Sequence, residues 1–400
     1  MVIYIKSLSQ KGKIMEYTIP GRYTLKIDRD RIAEARDRCT KYYHKQKIDR
    51  LPFRYASGTP SCPNYTMGDI IRDTDKLIEK TIAAINAQTE SFPDTDYVPY
   101  LGMAHLGQGV IASMFGATQY VVEDNPPFTE GRVMKDIYDL GKIPRRIDPA
   151  NDGWGPKLKE TCEKFLDAVQ GEVPVLVSDH QSPYGTATKI CDNETLILAM
   201  YDEPEMVHEF FGIVTTAIED TIDAMESWCG TEHLVKNEVV PVPNGKTGLI
   251  IWDDYISVIS PRLHTEFCAP YNIRLYEKYG FGHLHTCGPY FNGYIDACLN
   301  CKPRSMDLTI MRGMARSKED MAAFRRITKE AGIILMGSPD FTNHNAGSIF
   351  DNSWGAKDDE YLHFMADGGM FYSEWGAKEN GAERTKHWHE LTRDLVNVWD

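Results

Sequence analysis

The stretch GFGHLHTCGPY, residues 280–290, places His283, His285 and Cys287 at alternate positions, bracketed by Gly280, Gly282 and Gly288. Alternate residues of a β-strand share a face and lie roughly 6.5 Å apart. Imidazole nitrogen and thiolate sulfur are typical Zn²⁺ ligands, and an i, i+2 pair on a strand can approach one ion. His285 and Cys287 therefore read as a metal pair. A third ligand must come from elsewhere in the chain, and an open fourth position would mark a catalytic rather than a structural site. On a straight strand His283 stands about 13 Å from Cys287, so it reads as a group that orients another or packs inside. The metal-free alternative is a buried histidine and cysteine satisfied by their neighbours, since cysteine often fills core space.

Other stretches carry chemistry at lower density. In SDHQSPYGTA, residues 178–187, Asp179, His180, Gln181 and Tyr184 crowd a loop that leaves an apolar run. In WDDYISVISP, Asp253 and Asp254 point to opposite faces if extended, so one enters a site and the other pairs outside it. Ser260 and Pro261 then read as a helix start, because serine caps and proline fits the first turn. GMAHLGQG, residues 102–109, contributes His105 but is not a phosphate loop, and no G-x-x-x-x-G-K-[ST] pattern occurs. DNPPF, residues 124–128, reads as turn chemistry. The pair Cys298 and Cys301 in CLNC lacks a second C-x-x-C or H-x-x-H and reads as packing on a helix face.

These groups need elements to position them. Short apolar runs at 97–103, 119–124, 173–179, 248–254, 280–287, 304–310, 332–338 and 369–375 read as eight strands, with helical patterns between most of them. Eight alternating strands and helices predict an α/β chain closed into a (β/α)8 TIM barrel, spanning residues 91–400. Residues 29–46 and 68–89 read as helices, which predicts an N-terminal helical extension over residues 1–90, packed on the barrel. Barrel active sites lie at the C-terminal ends of strands. That edge gathers Asp179, Gln181, Asp253 and Asp254 as expected catalytic groups. It also offers His105, His180, Tyr184, His283 and Asp340 as expected substrate-binding groups.

Composition narrows the partners. A hydrophobic share of 42% and a charged share of 26% are those of an ordinary globular chain. A net charge of −14 argues against nucleic acid and against anionic membranes. No apolar run reaches a membrane-spanning length, and the N-terminus lacks a secretory pattern. Nine scattered cysteines suit reduced thiols, so a cytoplasmic location is expected.

The stretches VIASMFGA, SDHQSPYGTA, LILAMYDEPEMVHEFF, DDYISVISPRLHTEFCAPYN and HLHTCGPY together resemble the uroporphyrinogen decarboxylase superfamily over roughly residues 95–385. The resemblance implies a (β/α)8 barrel. Decarboxylases of the family carry an early Arg-rich motif and an Asp on the next strand; here RLPFRYASGTP and YVPYLGM stand in those regions. The corrinoid-linked methyltransferases, including those acting on coenzyme M, carry His-x-Cys and a distal Cys as zinc ligands. His285 and Cys287 match the first half; no cysteine follows Cys301, and the final strand offers Ser373 and Glu374 instead. The resemblance thus implies Zn²⁺ held by His285, Cys287 and Glu374. It implies methyl transfer between a small molecule and a corrinoid such as methylcobalamin, borne by a separate corrinoid protein. A metal-free lyase and a non-catalytic corrinoid-binding barrel are the alternatives, and homodimer formation is left open.

Overall fold

The computed structural model describes residues 15–19, 22–55, 63–91, 94–286, 294–307, 323, 326–337, 369–373, 386, 389–390 and 393. Cys287, Asp340 and Glu374 lie outside the described residues.

Strands β1 (Met15–Ile19) and β2 (Tyr23–Ile27) form an antiparallel hairpin. They are followed by β3 (Phe53–Tyr55), β4 (Thr118–Tyr120), β5 (Phe128–Glu130), β6 (Val175–Leu176) and β7 (Leu234–Val235). The later strands are β8 (Ile250–Trp252), β9 (His283–His285), β10 (Ser305–Asp307), β11 (Ile334–Gly337) and β12 (Gly369–Ser373). Six strands make one parallel sheet in the order β3-β12-β11-β10-β9-β8. β6 and β7 form a parallel pair, and Leu101 bridges in parallel to Val175. Backbone hydrogen bonds join these pieces: Asp96 N to Phe53 O at 2.7 Å, Val177 N to Val235 O at 2.9 Å, and Ile250 N to Lys236 O at 2.8 Å.

Helices cover the outer side of a parallel sheet, so β8, Ile-Ile-Trp, is buried along its whole length, while β3, β9 and β10 alternate polar and apolar residues. The longest helix, Pro204–Cys229, buries Val207, Phe210, Phe211, Val214, Ala217, Ile218, Ile222 and Met225. That three-and-four spacing is one face of a helix, and it packs on the helices Gly155–Ala168, Pro183–Ile190 and Ala269–Tyr279. β8 and β9 approach closely at Gly282, where a Cβ would collide with the backbone of Leu249. No helix among the described residues is long and apolar enough to cross a membrane.

The α/β class expected from the sequence is present, as a barrel-type arrangement of parallel strands and helices. Among the described residues, the expected strand at 97–103 pairs only through the Leu101 bridge, and one expected wall strand is absent from the wall. Residues 119–124 were expected in the barrel, but β4 pairs only with β5, in an antiparallel hairpin that DNPPF connects. The rings of Tyr120 and Phe128 stack on its exposed face at 5.8 Å. An isolated ribbon with exposed aromatics cannot be a wall strand, which must be buried on both sides. A strand from within residues 1–90, β3, instead pairs in parallel with β12.

Asp96 fixes the junction between β3 and the segment leading to Leu101. Its buried carboxylate accepts from Phe53 N at 2.8 Å, from both terminal nitrogens of Arg50 at 2.6 and 3.0 Å, and from Arg38 Nη1. Removing the charge of one partner in a buried pair costs about 3–5 kcal/mol. Asp96→Asn is therefore expected to lower the unfolding free energy by about 3 kcal/mol in urea titrations; an unchanged midpoint would contradict this role.

Candidate functional site

A cavity of about 650 Å³ opens at the C-terminal ends of β6, β8 and β9. Its lining includes Arg54, Tyr97, Tyr100, Asp179, Glu238, Trp252, Asp254 and His285. His285 is the last residue of β9, and Trp252 the last of β8. His285 Nε2 stands 3.7 Å from Asp254 Oδ1, with both side chains partly exposed. Glu238 accepts from Trp252 Nε1 at 3.3 Å and from the Tyr100 hydroxyl at 3.5 Å. The Arg54 guanidinium lies over the Tyr100 ring and donates to the Glu238 carbonyl.

Asp179 enters the cavity from the loop after β6. Burial raises its carboxyl above the usual range, while Gln181 opposes the shift by donating from Nε2 at 2.9 Å and from its amide at 3.3 Å. Gln181 adopts a left-handed φ of 57°, sparsely populated by non-glycine residues, and its Oε1 has no hydrogen-bond partner among the described residues. Gln181 is fully buried, so it meets the cavity only through Asp179. Strained backbone at such a turn costs of order 1 kcal/mol and is retained where surrounding contacts enforce it.

The two aspartates of WDDY separate. Asp254 lines the cavity, whereas Asp253 is fully buried behind it and is not part of the lining. Asp253 Oδ1 accepts from Ser182 Oγ at 2.8 Å; Oδ2 accepts from Asn272 Nδ2 at 2.8 Å and lies 2.9 Å from His264 Nε2. Burial alone would raise this carboxyl, but the His264 charge and the hydrogen bonds of His264, Ser182 and Asn272 hold it below the usual range.

The other expected residues lie in the protein interior rather than on the cavity wall. His180 is buried edge-on against Trp252 at 5.2 Å, and its Nδ1 donates to the Gln181 carbonyl at 2.6 Å. Tyr184 is buried against Phe211 and Tyr255, and its hydroxyl donates to Asn193 Oδ1 at 2.7 Å. His283 is fully buried with Nδ1 at 2.9 Å from Ser305 Oγ, which also meets the Tyr43 hydroxyl at 3.0 Å. His105 is buried as well. The core engages the ring or polar atoms of His180, Tyr184 and His283, which draws them inward.

Three residues carry more than the sequence reading gave them: His264 and Lys189 were not singled out, and Cys301 read as packing on a helix face. His264 and Cys301 join Asp253 in a set whose donor atoms all lie within 4.8 Å of one another, chemically able to hold a metal ion. His264 begins a π-helical turn, His264–Cys268, a distortion frequent at functional sites. The same atoms also form a hydrogen-bonded network, with Asn272 Nδ2 at 3.5 Å from Cys301 Sγ, and burial pushes the Cys301 thiol well up. The third is Lys189, in a helix, Pro183–Ile190, whose eight residues are all buried. A lone lysine in PYGTATKI was the available signal.

Residues 34–227 match the family model for uroporphyrinogen decarboxylase (URO-D). The chain is similar to a solved structure described as a methyltransferase from Methanosarcina mazei, with 13% sequence identity and a TM-score of 0.55. That match covers 90% of this chain and 98% of the other. No curated protein sequence matches the chain. The family model covers fewer than half of the 400 residues, and the likeness to the solved structure is one of fold.

Burial pushes the pKa of both His105 and His180 down to about 4. A base whose folded pKa is depressed binds its proton more readily when unfolded, so stability is complete above about pH 6.5 and falls as pH drops toward 4. Each histidine accounts for roughly 3 kcal/mol of that loss. His105→Asn is expected to make the decrease between pH 7 and pH 4.5 shallower by about 2 kcal/mol in urea titrations; an identical pH dependence would contradict the assignment.

Proposed function

We propose that this protein is a zinc-dependent methyltransferase that moves a methyl group between a small molecule and a corrinoid carried by a partner protein. The observation that carries the reading is His285 Nε2 facing Asp254 Oδ1 across 3.7 Å, in an accessible cavity at the strand ends. Two donors on one tetrahedral ion with bonds near 2.0–2.1 Å sit about 3.3 Å apart, so this imidazole-carboxylate spacing suits a metal position. In this reading the bonds at Asp96, Val177 and Ile250 close the strands into a (β/α)8-type barrel, with β3 completing its wall. His285 and Asp254 would hold the ion together with Cys287 or Glu374, the further ligands expected from the sequence.

A zinc ion bound there supplies Lewis acidity, favouring the thiolate of an acceptor or polarising the oxygen of a methyl ether. The chain's own groups do the rest. Asp179, its carboxyl raised by burial and oriented by Gln181, takes or returns the proton of the reacting group. Tyr97, Tyr100 and Trp252 wall the cavity and exclude water from the transferring methyl. A lyase reading would draw on Arg54 to grip a carboxylate, but that guanidinium already donates to the Glu238 carbonyl and lies over Tyr100.

The test follows corrin absorbance with zinc-loaded protein, using methylcobalamin and a thiol acceptor, then cob(I)alamin and a panel of methyl ethers and methylamines. Transfer is expected with at least one substrate, lost on chelation and restored by Zn²⁺. His285→Ala is expected to lower kcat/KM at least 100-fold with unchanged far-UV circular dichroism. Full transfer by metal-free protein would overturn the mechanism.

A further inference from the structure

A second chamber, of about 420 Å³, adjoins the first and shares Ala104, Gln108 and Asp179 with it. Part of its lining is the turn of the β4–β5 hairpin, Pro126 to Phe128; another part carries Lys189 and Tyr255. Gly107, at a φ of 68°, lets the chain pass close to the Pro127 backbone, so that turn is held against the chamber.

The chamber holds cationic groups that the fold does not neutralise directly. Lys189 is buried, with only 8% exposed, yet its Nζ donates to a single backbone carbonyl, Gly185 O at 3.3 Å, and stands 5.3 Å from the Tyr255 ring. An ammonium carries three donors, so the chamber side of Lys189 has hydrogen-bonding capacity to spare. Arg132, at the chamber's edge, donates to the Gly131 carbonyl. Burying a cation without a counter-charge is costly unless a ligand supplies one. Asp179 and Asp254 act on Lys189 through space, and Arg132 opposes them; burial lowers the lysine pKa to about 8, which leaves it mostly charged at pH 7. Pro127, Phe128 and Tyr255 give the chamber apolar and aromatic wall, beside the polar Gln108, Thr129 and Asp179. A compact slot that joins apolar wall to cationic donors is the form of a small-molecule subsite.

We propose that this chamber binds the oxyanion of a small organic acid, a carboxylate or sulfonate held by Lys189 and Arg132 with its carbon skeleton between Phe128 and Tyr255. Asp179, on the partition, then separates the anionic end from the reacting end, which extends beside His285 and Asp254. That last placement rests on the methyltransferase reading; the anion subsite does not.

The test uses zinc-free full-length protein at pH 7, titrated calorimetrically with benzoate, benzenesulfonate and the neutral isostere benzamide. At least one anion is expected to bind saturably, with benzamide at least 10-fold weaker. Which anion binds separates the carboxylate from the sulfonate form. Lys189→Met, similar in length and without the buried charge, is expected to weaken the anion at least 10-fold and leave benzamide unchanged. Arg132→Gln, at an exposed position, is expected to weaken it about 3-fold and carries the test if the lysine variant fails to fold. Absence of saturable anion binding, equal affinity for benzamide, or wild-type anion affinity in a folded Lys189→Met protein would overturn the proposal. Because neither zinc nor a corrinoid is present, failure of methyl transfer would leave this result standing, and the reverse also holds.

Discussion

The buried carboxylate of Asp253 is the constraint on which the site depends. A lone charge in the interior costs several kcal/mol unless it is paired and hydrogen-bonded. Asp253 meets that demand with Ser182 from one segment and with His264 and Asn272 from the continuous helical run 261–279. Ser182 also caps the helix Pro183–Ile190, accepting from Gly185 N at 3.0 Å, while its amide donates to Trp252 O at 2.7 Å. Asp253 N donates to His285 O at 2.8 Å. One side chain and its neighbours thus tie the ends of β8 and β9 to the loop that carries Asp179. With Asp253 turned inward, Asp254 is left to face the cavity and His285.

This arrangement gives the molecule two sets of metal-capable donors with different prospects. Asp253, His264 and Cys301 are all fully buried, and their polar atoms already serve the network that anchors the loops. An ion there would be a closed structural centre. His285 and Asp254 are partly exposed on a cavity large enough for a small substrate, so a donor set built on them keeps a face open. Catalysis by a metal requires that open face.

Much of this was legible in the sequence because it follows local period and turn chemistry. The alternation in GFGHLHTC put His283 and His285 on one face of a real strand, and SPR marked a helix that Ser260 does cap, accepting from Leu263 N. Opposite directions for Asp253 and Asp254 followed from the strand pleat, but which one faced the cavity depended on partners 11 to 71 residues away. His264 and Cys301 were illegible for the same reason: nothing in CLNC or HTEFC indicates that their donors converge. β3 was missed because three residues are too few to display a period, whereas residues 119–124 offered a short apolar run that belongs to an exposed hairpin.

Anomalous diffraction at the zinc absorption edge, from crystals grown with one equivalent of Zn²⁺, tests the central claim most directly. The account predicts one strong peak within bonding distance of His285 Nε2, on the cavity side. A peak among Asp253, His264 and Cys301 with none at His285 would contradict it.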